Sequence, residues 1–160
     1  MIIRLTKVSP THHEFRIIRP GIEDEYAVLE TKVFAPHDFV HYAYEHTAGI
    51  SHSFFGMLAQ GMSLDALSGV AQAMSNTTPD QRTEIMNTEL LTGPLSSFLG
   101  GAATAKEAIS GAQNVFDAYG IALPAHFTTE LLEIIASNHR ALIGEWQKLP
   151  FGQSMDLSWQ

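Results

Sequence analysis

The sequence contains no cysteine, and this absence excludes a disulfide-stabilised scaffold, a zinc site built on thiolates and a cysteine nucleophile. Positive charge is also scarce, because 9 Lys and Arg stand against 17 Asp and Glu and the formal net charge is -8. Binding along a nucleic-acid backbone requires many cations to neutralise the phosphates. We therefore expect no nucleic-acid partner.

Long apolar runs are missing as well. No uninterrupted apolar stretch approaches the roughly 20 residues that cross a bilayer, and the amino terminus lacks the basic-then-apolar order of a signal peptide. These two absences predict a cytoplasmic protein without a membrane partner. The phosphate-binding loop, the dinucleotide-binding glycine pattern and the G-x-S-x-G nucleophile elbow are also absent, so three common enzyme classes have no support.

The residues that are present indicate one domain spanning residues 1–160, of which 45% are hydrophobic. Apolar and polar residues alternate through residues 1–34, with turn signals at Pro10 and Pro20. This pattern predicts a three-stranded antiparallel meander whose last strand runs to Val33. Because so small a meander exposes an apolar face, we expect residues 35–149 to form a predominantly helical layer that covers it. The predicted fold class is α+β.

Capping residues predict where the helices begin and end. Pro36 suits the first position of a helix that Gly49 ends. Thr78, with a glutamine three residues later, forms a capping box that opens another helix, and Gly93-Pro94 is expected to stop it. Further helices are predicted at residues 53–60, 63–74, 95–99, 109–119 and 128–148. Residues 150–160 show no periodicity and are predicted to form a docked tail.

Histidines are concentrated in the first predicted helix. Four of the eight lie between residues 37 and 52, and His37 and His41 have the four-residue spacing that places both rings on one face. A divalent transition metal such as zinc could bridge two rings so placed. On this helix the face with the ionisable residues lies next to the face with the apolar residues. A metal ion at the border would have apolar residues on one side and an open coordination position on the other.

Two carboxylates and a distant histidine are candidates to complete this site. Glu45 lies eight residues after His37, roughly 12 Å along the helix axis, so it cannot share an ion with both histidines. We expect Asp38 or Glu45 to position a catalytic water. His139 is the predicted third ligand, because it lies in the apolar stripe of the last helix, where a buried ring needs a polar partner. The next candidates are His12, His13 and His52.

Three resemblances start from the same residues. The segment His37-Asp38-Phe39-Val40-His41 resembles the helical zinc motif H-E-x-x-H with Asp in place of Glu, which implies that Asp38 would deprotonate a metal-bound water. His37-Asp38 is also similar to the dyad of HD-type metal phosphohydrolases, which implies an upstream helical histidine and a downstream aspartate. Residues 29–61, with a His-Asp-x-x-His-Tyr core, resemble small uncharacterised bacterial proteins, which implies a bacterial cytoplasmic domain and no particular activity.

Two functions therefore stay open. The first is a small metal-binding protein or metal-dependent hydrolase that uses the His37 and His41 pair. The second is a non-enzymatic binding or regulatory module with a helical partner groove, in which the histidines have ordinary helix-surface roles. The sequence leaves a homodimer and a small-molecule or protein partner open in either case.

Overall fold

The computed structural model describes residues 1–67, 74–75 and 77–160. Within these residues, four antiparallel strands form one sheet in the order β3-β2-β1-β4, and helices make up most of the remainder. The strands are β1 (Ile2–Lys7), β2 (His12–Arg19), β3 (Ile22–Glu30) and β4 (Ser154–Ser158). The predicted α+β class, with an amino-terminal antiparallel meander, is confirmed.

The first two strands follow the alternation in the sequence. They pair so that Ile3 lies opposite Ile17 and Leu5 lies opposite Phe15. All four side chains are buried, because alternate residues of a strand point to the same face of the sheet. This face receives the helical layer.

The carboxyl-terminal tail is a fourth strand, which corrects the prediction of a docked segment without periodicity. β4 pairs antiparallel with β1 and buries Met155 and Leu157 on the same face as the other strands. Trp159 continues this alternation and is also buried. The period of two is present in the sequence from Ser154 to Trp159, but a single alternating segment of this length is a weak strand signal.

Helix α1 (Thr31–Ala48) begins earlier than predicted. Residues 31–33, expected to continue the third strand, form its first turn, and Pro36 lies inside the helix instead of at its first position. Proline there removes one backbone hydrogen bond, which the eight buried residues of α1 outweigh. Gly49 ends the helix with a left-handed φ of 68°, as predicted.

Helices α2 (Phe54–Ala59) and α3 (Pro79–Leu99) follow, separated by a short 3-10 turn at Asp65–Leu67. The short helix α2 agrees with the prediction for residues 53–60. Of the helix predicted for residues 63–74, residues 68–73 lie outside the described residues. The capping box at Thr78 is confirmed, because its side chain accepts from the backbone N–H of Gln81 while the Gln81 side chain accepts from the backbone N–H of Thr78.

The predicted end of α3 at Gly93-Pro94 is wrong, because the helix continues through both residues to Leu99. Leu91 and Leu95 flank the proline and are both buried. Burying two leucines contributes roughly 3–6 kcal/mol, which exceeds the roughly 3 kcal/mol that an interior proline costs. Tertiary packing therefore overrides the local stop signal.

Helices α4 (Ala105–Ala118) and α5 (Thr129–Lys148) complete the helical layer. Thr128 caps α5 as predicted, by accepting from the backbone N–H of Leu131. Helix α5 runs antiparallel to α1, because Asn138 donates to Thr47 Oγ1 at 3.0 Å near one end and the rings of Trp146 and Phe39 lie 5.9 Å apart near the other. No described helix combines the length and the apolar composition needed to cross a membrane.

Candidate metal centre

Helices α1 and α3 bring two histidines and a glutamate together. The rings of His37 and His41 lie with their centroids 4.4 Å apart, one turn apart on α1. Glu89 on α3 faces them, and one ligand atom from each of the three residues lies within 4.8 Å of the others. Two imidazoles and one carboxylate at these distances could hold a metal ion.

The Nε2 atom of His41 points towards α3. It lies 4.0 Å from Glu89 Oε1 and 3.2 Å from the hydroxyl oxygen of Thr92. Glu89 and Thr92 are three residues apart, so they lie on the same face of α3. The His41 ring is 3% exposed, and therefore nearly all of its contacts are made inside the protein.

The other ring nitrogen of His41 contacts a fully buried carboxylate. Glu45, one turn further along α1, has 0% side-chain exposure, and its Oε1 lies 3.0 Å from His41 Nδ1. A carboxylate can only accept, so His41 Nδ1–H is the donor. The second oxygen of Glu45 accepts from the backbone N–H of Phe55 at 2.9 Å, in the first turn of α2. Both carboxylate oxygens are thus engaged by the fold.

The hydrogen bonds around His41 are compatible with a proton on each ring nitrogen. The Thr92 hydroxyl donates its proton to the carbonyl of Thr88 at 3.0 Å, so its oxygen is left to accept from His41 Nε2–H. Burial alone would lower the pKa of His41, but the hydrogen bond to Glu45 and the charges of the nearby carboxylates raise it above its ordinary value. A metal ion bound at Nε2 would require this nitrogen to be free of its proton.

Burial has the largest influence on the carboxyl of Glu45 and raises its pKa. The hydrogen bonds and charge of His41, together with hydrogen bonds from Phe55 and Ser53, act in the opposite direction and partly offset this rise. The pair is therefore a desolvated histidine–glutamate pair that several hydrogen-bond donors hold in place. Such pairs lose much stability when one partner is removed.

The ring protons offer a direct test of this arrangement. In an NMR titration of the imidazole nitrogens, His41 should lose its proton above pH 6.5, and His13 below it because burial lowers the pKa of His13. A raised pKa means that the folded state holds the proton more tightly. The contribution of His41 to stability is therefore complete below about pH 6.5 and is lost as the pH rises through its folded pKa. Titration of His41 below His13 would contradict the network.

The cluster opens onto a pocket with a volume of about 600 Å³. His41 is buried at its base, whereas the side chains of His37 and Glu89 are 51% and 36% exposed. Apolar residues form most of the lining, from the sheet, α1, α2, the 3-10 turn and α3. The cluster thus has an open side and an apolar wall, but the wall differs from the predicted one, because the apolar strip of α1 that contains Phe39, Val40 and Tyr44 does not line the pocket.

Asp38 lines the same pocket, and its Oδ1 lies 3.5 Å from His37 Nδ1. Its side chain is 16% exposed. Of the two carboxylates predicted to position a water, Asp38 is therefore the one that faces the pocket. Glu45 is enclosed behind His41.

His139 is not part of the cluster, which corrects its prediction as the third ligand. Phe39 lies about 160–200° around α1 from His37 and His41, and it contacts α5, so α5 packs against the opposite side of α1. His139 also lies beside Asn138, which contacts the end of α1 far from His37. The ring is half-buried there, and burial lowers its pKa.

The other candidate histidines are also elsewhere. His13 is buried beside Trp146, His52 pairs with Glu84, and His12 bonds to Thr11. Sequence reasoning missed Glu89, although a signal was available. At about 100° per residue, Glu89 falls about 40° from Ile85, so the helical period places this carboxylate at the edge of the apolar stripe of α3.

The HD-type arrangement does not form among the residues the structure describes. His12 and His13 belong to β2 and so provide no upstream helical histidine. No aspartate belongs to the group of three donors around His37 and His41. Comparison of the chain with protein-family models, curated proteins and solved structures gives no match.

Proposed function

We propose that this protein binds one divalent transition-metal ion between α1 and α3, with His37, His41 and Glu89 as ligands. The observation that carries the proposal is three donors within 4.8 Å, one of them backed by a buried carboxylate. Histidines that bind metals nearly always donate their other ring N–H to such an acceptor, which fixes the ring and raises its basicity. Two histidines paired by chance would not require the desolvation of Glu45 behind one of them.

The distances support this ligand set. Zinc bonds to imidazole and carboxylate are about 2.0–2.2 Å, so two ligands of one ion lie at most about 4.4 Å apart. The observed limit of 4.8 Å requires only a small rotation of His37 and Glu89, which both reach the surface. The buried His41 supplies the rigid point of the site. Three protein ligands leave a coordination position open towards the pocket.

Hydrolysis is the reaction class that we propose for the site, with Asp38 as the proton acceptor. Asp38 directly follows the first ligand, as the glutamate does in H-E-x-x-H, and it lines the pocket. Glu45 has a different role in this proposal. It orients His41, because both of its oxygens are engaged by groups of the fold.

Metal titration tests the ligand set. The purified chain is expected to bind one equivalent of Zn²⁺ or Co²⁺, followed by calorimetry and by the visible absorption of Co²⁺. His37→Ala and Glu89→Gln should each weaken binding by more than about 100-fold, since even residues that only support a ligand contribute 10–100-fold. His41 is left intact because its replacement would also disturb the buried pair.

Matched controls separate ligation from general damage. His46→Ala removes an exposed histidine of the same helix, and Glu133→Gln an exposed glutamate of α5; both should leave the Kd within about twofold. A wild-type chain that binds no stoichiometric metal would overturn the proposal, and the His41–Glu45 pair would then be a structural network.

Asp38→Asn should retain metal affinity but lose hydrolysis of 4-nitrophenyl acetate. Unchanged hydrolysis would contradict the role assigned to Asp38.

A further inference from the structure

The pocket beside the metal centre is apolar except for one patch. The patch consists of the three proposed ligands with Asp38 next to them, and Ser53 is a further polar residue of the lining. The apolar lining residues are Phe15, Ala27, Leu29, Val33, Phe34, Phe54, Met57, Leu64, Leu67 and Ile85. A volume of about 600 Å³ lies within the range of pockets that bind small organic molecules.

The charge of the pocket limits what it can bind. None of the described lining residues is a lysine or an arginine. A divalent ion would be neutralised by the two carboxylates of Glu89 and Asp38, so no positive charge would remain for a phosphate or a second carboxylate. Anions buried without a compensating charge are strongly disfavoured. The geometry therefore favours an uncharged ligand over a phosphorylated one.

The apolar wall indicates how the rest of that ligand is bound. Phe15, Phe34 and Phe54 contribute aromatic surface, and Met57 and Leu67 add aliphatic surface next to it. Such a wall gains free energy from each apolar group removed from water but offers no hydrogen bonds that would orient polar substituents. Orientation must then come from the polar patch alone.

We propose that the pocket binds a small uncharged molecule with an apolar chain and a single terminal oxygen group, such as an ester or amide carbonyl, that reaches the metal. This inference rests on the proposed metal centre and adds the class of ligand. The apolar chain lies against the phenylalanine wall, and the oxygen group faces the open coordination position. Phosphate esters are disfavoured as the main ligand class, because none of the lining residues in the described part of the chain is a lysine or an arginine.

A series of hydroxamic acids tests the apolar part of this inference, because the metal-binding group stays constant while the chain changes. Binding of aceto-, hexano- and octanohydroxamic acid to the Co²⁺-loaded protein is measured by calorimetry and by the Co²⁺ spectrum. Each buried methylene should tighten binding about threefold, so the octanoyl compound should bind at least about 100-fold more tightly than the acetyl compound. A flat series would overturn the inference.

Substitution of two similarly exposed apolar residues shows where the apolar chain of the ligand binds. Phe34→Ser should weaken octanohydroxamate about fivefold and leave acetohydroxamate unchanged, because Phe34 lines the pocket. Ile134→Ser removes a similarly exposed residue of α5 that does not line the pocket. This variant should change the affinity for neither hydroxamate. Equal effects of the two variants would contradict the assigned wall.

A separate variant tests the exclusion of anionic ligands. Asp38→Asn removes one negative charge from the patch, so it should tighten binding of dianionic octylphosphonate by about tenfold while octanohydroxamate changes little. No gain for the phosphonate would refute the exclusion of anions. Metal titration without organic ligand precedes each series. Absence of metal binding would overturn both proposals, whereas normal metal binding with a flat chain-length series would overturn the ligand class alone.

Discussion

Replacing Glu45 by alanine is expected to lower the free energy of unfolding by about 3–5 kcal/mol, the cost of removing one partner from a buried ion pair. Glu45 is fully buried, accepts from His41 Nδ1–H and accepts from the backbone N–H of Phe55. The variant leaves two buried donors without this acceptor and a cavity between α1 and α2. Urea denaturation of the metal-free chain, followed by circular dichroism, measures the loss.

Two further variants test whether the loss of stability comes from the buried pair rather than from helix propensity, and whether Glu45 also supports metal binding. Glu133→Ala, an exposed glutamate of α5, should change stability by less than about 0.5 kcal/mol. Glu45→Gln keeps an acceptor for His41, so it should unfold less easily than Glu45→Ala. It should still bind metal 10–100-fold more weakly than the wild type, which is roughly the effect of removing a group that orients a ligand. A loss below about 1 kcal/mol for Glu45→Ala would show that water reaches the donors.

The local part of the site was predictable, because it depends on one helix. The four-residue spacing of His37 and His41 places both rings on one face of α1 whatever the rest of the fold does. The same period places Glu45 one turn after His41, which is the spacing of their hydrogen bond. The pairing of Glu45 with the backbone of Phe55 was not predictable, because it depends on how α2 docks.

The identity of the third donor depends on how the helices pack. The hydrophobic period of a single segment carries no information about that packing. His139 satisfied the argument that a ring in an apolar stripe needs a partner, but α5 packs against the side of α1 opposite to the histidines. Glu89 is brought to the site by α3 instead. The choice between α3 and α5 is a matter of tertiary contacts between segments about 50 and 100 residues from the pair.

Fold prediction succeeded where local rules and packing agree. The capping box at Thr78 and the left-handed Gly49 are set by backbone chemistry and appear as predicted. The sequence pattern places Pro36 and Pro94 at helix boundaries, but both lie inside helices whose buried faces continue past them. A proline removes a single hydrogen bond, whereas burial acts along the whole face, so the stop signal is the weaker of the two.

Removal of residues 154–160 is expected to unfold the chain. The truncation eliminates β4 and with it the buried Met155, Leu157 and Trp159, each of which stabilises the fold by about 1.5–3 kcal/mol. A loss of this size is comparable with the whole stability of a typical domain. The truncated chain should lose its near-ultraviolet circular dichroism and elute as an expanded or aggregated species, because the edge of β1 is also left unpaired.

This result would show that the tail is needed for folding. Trp159 stacks on Phe55, whose backbone N–H donates to Glu45, so the tail also supports the candidate metal centre. The neighbouring pair Leu157→Ala and Asp156→Ala provides the control: the buried leucine should cost about 2–5 kcal/mol, and the exposed aspartate, which pairs with a surface arginine, less than about 1 kcal/mol. A truncated chain that stays folded and still binds metal with wild-type affinity would show that β4 is dispensable for folding and for metal binding.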